Sequence, residues 1–167
     1  MKQTGEAKSR TNAMRILDCQ KILYRVHSYD ASAGKIDGIA IAEKIGCPPE
    51  TVCKTLVSQG ADREYYVFVL PVARKLDMKL AASAAGVKSV EMIPVADINR
   101  VTGYVRGGCS PIGMKKQYAT IIDASCSALE SIVVSAGRVG FHVELSPSDL
   151  ARVTNARTAP VATEENR

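Results

Sequence analysis

The segment from Thr102 to Lys116 is the part of the chain best equipped for chemistry. It holds four glycines and one proline in fifteen residues. Glycine allows positive φ and close approach of the backbone to a ligand. Adjacent glycines such as Gly107 and Gly108 can turn consecutive N–H groups toward an anion. Arg106, Lys115 and Lys116 add positive charge. Such a loop could cradle a terminal nucleotide or polarise an ester carbonyl as an oxyanion hole does. The spacing is not that of a P-loop. Gly-Gly and Ser-Pro pairs also make ordinary turns.

Nucleophiles are scarce. Cys109 and Ser110 sit in the glycine-rich loop, where a nucleophile would be accessible. No GxSxG elbow and no protease Cys-His signature accompanies them. A packing role for Cys109 therefore outweighs a catalytic one. Lys54 stands among apolar residues of a strand-like run from Val52 to Ser58. It is either an edge residue facing water or a charge lining a cleft, and pattern alone favours the edge. Cys53 would point to the opposite face, into the core. His142 alternates with Phe141 and Val143, which places it beside Glu144 on a polar strand face or in a pocket.

Composition narrows the setting. The chain has 167 residues, 22 Lys and Arg against 17 Asp and Glu, and a net charge of +5. The stretch from Ile98 to Tyr118 contains Arg100, Arg106, Lys115 and Lys116 and no carboxylate, a footprint that suits phosphates. Five cysteines without a CxxC pair, and only two histidines, give no zinc spacing and suggest reduced thiols in a cytoplasmic protein. No cofactor is implied. The first ten residues are polar, unlike a signal peptide, and no apolar run approaches the ~20 residues needed to span a membrane.

These groups must be positioned by short elements. Asn12, Asp37 and Asp77 can each cap a helix, and Gly46 and Gly86 can end the second and third. Tyr24 to Tyr29 alternates as a strand. Val52 to Ser58 and Glu64 to Leu70 flank a Gly60–Arg63 turn and read as a hairpin. Val87 to Met92, Ala119 to Ile122, Ser131 to Ser135 and Phe141 to Leu145 are further strands. Pro94 suits a short helix ending near Gly103. Ser146 to Asp149 resembles a capping box with proline at the first helical position. Residues 1–11 read as a disordered leader, 12–160 as one domain, and the segment after Ala156 as frayed. The expected class is α+β, with a mixed, partly barrelled sheet flanked by helices.

Taken together, the run from Val52 to Leu56, the Thr102–Lys116 loop, Ile121 to Asp123, Val134 to Arg138 and Val143 to Leu145 resemble the YbaK/ProX family of free-standing editing domains. The branch most resembled is the YbaK-type deacylases of Cys-tRNA(Pro). The resemblance implies that Lys54 holds the terminal adenosine region or phosphate of the tRNA. It implies that Gly107 and Gly108 approach the aminoacyl ester, and that Tyr29, Thr55, Ser110, Ser135 and His142 line the substrate site. Arg106, Lys115 and Lys116 are the expected tRNA contacts. In that branch the substrate cysteine thiol attacks its own ester, so no protein nucleophile is needed. Cys109 stands where relatives often have an aliphatic residue. His142 stands where YbaK-type members often have Asp and where alanine-removing relatives often have His. The expected function is hydrolysis of Cys-tRNA(Pro). The alternatives are a deacylase for alanine or other small amino acids, and a non-catalytic tRNA-binding module. The implied partners are aminoacyl-tRNA, in particular tRNA(Pro), and prolyl-tRNA synthetase, with no DNA and no membrane.

Overall fold

The computed structural model describes residues 10–32 and 37–163. Of the leader expected over residues 1–11, residues 1–9 lie outside the described residues. Helix α1 (Asn12–Cys19) is capped by Thr11, whose Oγ1 accepts the Met14 N–H at 3.2 Å. The cap is thus one residue earlier than expected, and Thr11 is buried. Arg10 is also ordered, paired with Asp18 at 2.5 Å. Freed from capping, the Asn12 side chain donates to the Gly113 carbonyl at 3.3 Å and ties the helix to the glycine-rich loop.

Two sheets follow. Strands β1 (Arg25–Ser28), β6 (Ile132–Arg138) and β7 (Phe141–Leu145) form an antiparallel sheet in the order β1-β7-β6. Strands β2 (Cys53–Gly60), β3 (Tyr65–Pro71), β4 (Val90–Met92), β5 (Ala119–Asp123) and β8 (Arg157–Ala159) form a mixed sheet in the order β4-β2-β3-β5-β8. Here β2 runs antiparallel to β3 and β4, while β3, β5 and β8 are parallel. The sheets do not close. They meet at one parallel bridge, Val52 to Val133, where the Val133 N–H donates to the Thr51 carbonyl at 2.9 Å.

The other helices obey the expected caps. Asp37 opens α2 (Gly38–Ile45) and Asp77 opens α3 (Met78–Ala85). Gly46 and Gly86 close them in the left-handed conformation. A 3-10 turn at Val95–Asp97 leads into α4 (Ile98–Thr102). Ser146 caps α6 (Pro147–Thr154) by accepting the Asp149 N–H at 3.1 Å. The short α5 (Ala124–Ser127) and β8 have no counterpart in the elements expected from the sequence.

The segment after Ala156 is not frayed through Thr163. Asp123 holds it, because one carboxylate oxygen accepts the N–H groups of Val161 and Ala162 at 2.9 and 3.0 Å. Val161 is fully buried. One core lies under β6 and β7 against α1 and α6, around Leu17, Ile112, Ile132 and Leu150. A second lies beneath α3 on the larger sheet, around Phe68, Leu70 and Ile121.

Candidate active site

The seam between the two sheets shapes a cleft of about 210 Å³. Strand β4 pairs only with Ser58, Gln59 and Gly60, so it leaves the opening of β2 uncovered. That opening supplies Val52 to Thr55. The exit of β3 supplies Val72, α2 supplies Gly38 and Ile41, the loop supplies Gly107 and Cys109, and the three-stranded sheet supplies Ser135 and His142. The close approach of α2 depends on Gly38, where a β-carbon would come within 2.5 Å of Val72 Cγ1. Five of the residues singled out in the sequence, Lys54, Thr55, Gly107, Ser135 and His142, therefore share one cleft.

Lys54 is half-buried and pairs with no carboxylate among the described residues. Burial pushes its ammonium below the usual lysine range, and the charge of Lys75 pushes the same way. Such a cation gains by meeting an anion. Beside it, Thr55 Oγ1 is buried without a hydrogen-bond partner among the described residues, and so is His142 Nδ1. Buried polar atoms are normally satisfied, so two orphans in one cleft point to a ligand. His142 is 4% exposed, not on a half-exposed strand face. Burial, helped by nearby His27, lowers its pKa to about 4, so the imidazole is neutral near pH 7. In register, β7 sets His142 between His27 on β1 and Ser135 on β6. Tyr29 packs its ring against that imidazole at 5.7 Å between centroids, outside the cleft lining itself.

The loop behaves differently from an exposed, accessible segment. Ser110, Pro111 and Ile112 at its centre are buried. Tyr104 Oη donates to the Ile112 carbonyl at 2.5 Å, and the Lys115 N–H donates to the Thr102 carbonyl at 3.0 Å. Ser110 does not line the cleft. Its Oγ accepts the Ile112 N–H at 3.2 Å, so it shapes the loop instead of touching a substrate. Gly107 does line the cleft at φ +85°, a conformation that disfavours any side chain. Its N–H makes no hydrogen bond to a described residue. Gly108 cannot serve beside it as an anion-binding donor, because its N–H is spent on the Val105 carbonyl at 2.9 Å. Gly108 is needed for packing: a β-carbon there would sit 3.0 Å from the backbone nitrogen of Val139.

No activated nucleophile is found among the described residues. Burial pushes the Cys109 thiol up to about 11, against a hydrogen bond with Thr102 that works the other way. A thiol so raised is almost wholly protonated at neutral pH. Cys109 packs against Val57, Val67 and Val101. Cys53 is in the core, 3.6 Å from Cys126 between sulfurs.

The three expected tRNA contacts are split. Arg106 is exposed next to Gly107. Lys115 and Lys116 are exposed on a separate groove of about 340 Å³ that also involves Gln20, Gln117 and Val153. Lys115 Nζ donates to the Arg100 carbonyl at 3.1 Å. Sequence reasoning missed Gly38, Ile41 and Val72. Residue 38 follows an Asp cap, which marked the helix but not what its first turn faces.

Residues 37–153 match the model of the aminoacyl-tRNA editing domain. A relative from Enterococcus faecalis (strain ATCC 700802 / V583), named as a proposed Cys-tRNA(Pro)/Cys-tRNA(Cys) deacylase, EbsC, is 38% identical over 160 residues, covering 96% of this chain and 98% of its own. Two solved structures share the fold. One, described as a proposed trans-editing enzyme for prolyl-tRNA synthetase, superposes with a TM-score of 0.76 at 20% identity, over 93% of this chain and 99% of that one. The other, the hypothetical protein APE2540, gives 0.80 at 20% identity, over 89% and 97%. With a family match over more than half its length and a curated relative matched almost end to end, the chain belongs to the aminoacyl-tRNA editing domain family.

Proposed function

We propose that this chain is a cytoplasmic trans-editing enzyme that deacylates Cys-tRNA(Pro), acting through residues 12–160 as one domain. The observation that carries the reading is the half-buried Lys54, which meets no carboxylate among the described residues, beside Thr55 Oγ1 and His142 Nδ1, which have no hydrogen-bond partner among them. A 3′-terminal aminoacyl-adenosine offers the complements: a phosphate for Lys54, an ester carbonyl for a free N–H, and an amino-acid head for Thr55, Ser135 and His142.

The substrate thiol supplies the nucleophile. Its sulfur attacks the ester carbonyl, the S–C bond forms as the C–O bond to the ribose breaks, and the thiol proton passes to the departing ribose oxygen. The products are a cyclic thiolactone and free tRNA. An intramolecular nucleophile enjoys a high effective molarity, so the protein needs only to orient and polarise. The Gly107 N–H is the donor suited to the developing oxyanion, with Gly108 holding the loop in place. Initial rates on a panel of mischarged tRNAs test the proposal. Turnover is expected on Cys-tRNA(Pro), and tight binding with no turnover of any panel member would make the chain a binding module instead. The name of the Enterococcus relative includes Cys-tRNA(Cys), so that substrate belongs in the panel.

Cys109→Ala is expected to keep activity within about threefold, because a buried thiol of that pKa acts by packing. Intact-mass analysis during turnover should show no aminoacyl adduct, and a covalent Cys109 species would sink the substrate-assisted step. Neutralising Arg106, Lys115 and Lys116 together is expected to lower the log–log salt slope of tRNA binding by about 1 for each phosphate no longer neutralised. An unchanged slope and affinity would mean that the tRNA approaches another face. Prolyl-tRNA synthetase is the proposed partner that supplies selection of the tRNA, since a domain of this size offers little surface for a whole tRNA.

A further inference from the structure

A second cluster of donor side chains lies outside the editing cleft. His27 on β1, Cys47 just after α2 and Glu144 on β7 bring one donor atom each to within 4.8 Å of one another. His27 Nε2 stands 2.8 Å from Glu144 Oε1. The other carboxylate oxygen accepts from Ser131 Oγ at 2.5 Å, which fixes the orientation of Glu144. Cys47 is held from its backbone: its N–H donates to the Ala42 carbonyl at 3.0 Å, and the proline that follows restricts its conformation. All three side chains are partly buried. Arg25, across from Glu144 in register, is exposed, but its charge still acts on both Glu144 and Cys47. None of the three residues has a task in the deacylation step.

A thiolate, an imidazole and a carboxylate are the ligand types of a tetrahedral zinc site with one position open. Bond lengths of about 2.0–2.3 Å place such donors roughly 3.2–3.8 Å apart. The His27–Glu144 separation of 2.8 Å is shorter than that spacing and the trio's 4.8 Å span is longer, so side-chain rotation must supply the difference. A hydrogen bond from Ser131 to the carboxylate ligand is the kind of outer contact that such sites use. The residues are remote from one another in sequence, which is why no ligand spacing was visible there.

We infer that His27, Cys47 and Glu144 form a three-ligand site for a zinc-like divalent cation. Cobalt(II) reports on it directly, because a cobalt–thiolate bond gives a charge-transfer absorption in the near ultraviolet. The reduced full chain, titrated with cobalt(II), is expected to develop that band at one equivalent and to lose it on adding one equivalent of zinc. Cys47→Ser is expected to abolish the band. Glu144→Gln, which keeps an oxygen for Ser131, should retain the band but weaken cobalt affinity at least tenfold. Cys19→Ser, which removes an exposed thiol elsewhere, should change neither. Absence of the band in the wild-type chain, or its survival undiminished in Cys47→Ser, overturns the assignment. Deacylation is not the readout, so failure here and failure of the editing proposal are separate results.

Discussion

Lys54→Ala is expected to lower kcat/KM on Cys-tRNA(Pro) by about 100-fold while leaving the fold intact. The size follows from the setting. A hydrogen bond to a charged group contributes about 1.5–3 kcal/mol, and each ~1.4 kcal/mol is a factor of ten in rate. Lys54 is placed at the upper end of that range because its charge is half-buried and answered by no carboxylate among the described residues. The same fact separates function from stability. A partly desolvated, unpaired cation weakens the folded state, so removing it should hold or raise Tm. Loss of activity with an unchanged or higher Tm would mark Lys54 as a group kept for its ligand. Lys54→Met, which keeps the stem and deletes the charge, should match the alanine variant in activity. A folded Lys54→Ala chain with wild-type turnover would remove the residue from the site.

The helix ends were readable because they rest on contacts only a few residues apart. Asp37, Asp77, Ser146, Gly46 and Gly86 all do what their types and spacing foretell. The hairpin of β2 and β3 was readable for the same reason. What escaped depends on distant partners. Strand β8 is three residues long and exists because β5 offers a parallel edge and Asp123 grips the chain beyond it. Nothing within Arg157–Ala159 announces that. The site divides along the same line. Residue types mark the loop, but pattern alone favours an exposed edge for Lys54; only the resemblance to editing domains points to the cleft that it lines. The buried core of the loop and the α2 wall at Gly38 follow from packing of elements far apart in sequence, whereas the Val105 carbonyl that occupies the Gly108 N–H belongs to a local turn. His27, Cys47 and Glu144 are the extreme case, joined only by the pairing of β1 with β7 and the placement of the turn after α2.

Deleting the sulfur from the substrate is expected to cost more than any single change to the protein. If the thiol is the nucleophile, Ala-tRNA(Pro) offers the same ester and ammonium but must wait for water. Effective molarities for well-oriented intramolecular attack reach about 10⁵ M and above, against ~55 M for water, so a rate ratio of at least about 10³ in favour of cysteine is expected. His142 provides the counter-test. Its imidazole is buried, neutral near pH 7, and has a partnerless Nδ1, so it can accept or donate one hydrogen bond but holds no fixed charge. Under the thiol mechanism it tunes binding only. His142→Asp should then shift KM more than kcat and keep cysteine as the preferred amino acid. Under the competing reading, His142 shapes a pocket for alanine, the wild type deacylates Ala-tRNA(Pro) well, and the substitution removes that activity. Initial rates on the two charged tRNAs, for wild type and His142→Asp side by side, decide between them. A wild-type ratio near one or favouring alanine would reject the thiol mechanism while leaving an aminoacyl-tRNA deacylase in place, since the roles proposed for Lys54, Thr55 and Gly107 suit either amino acid.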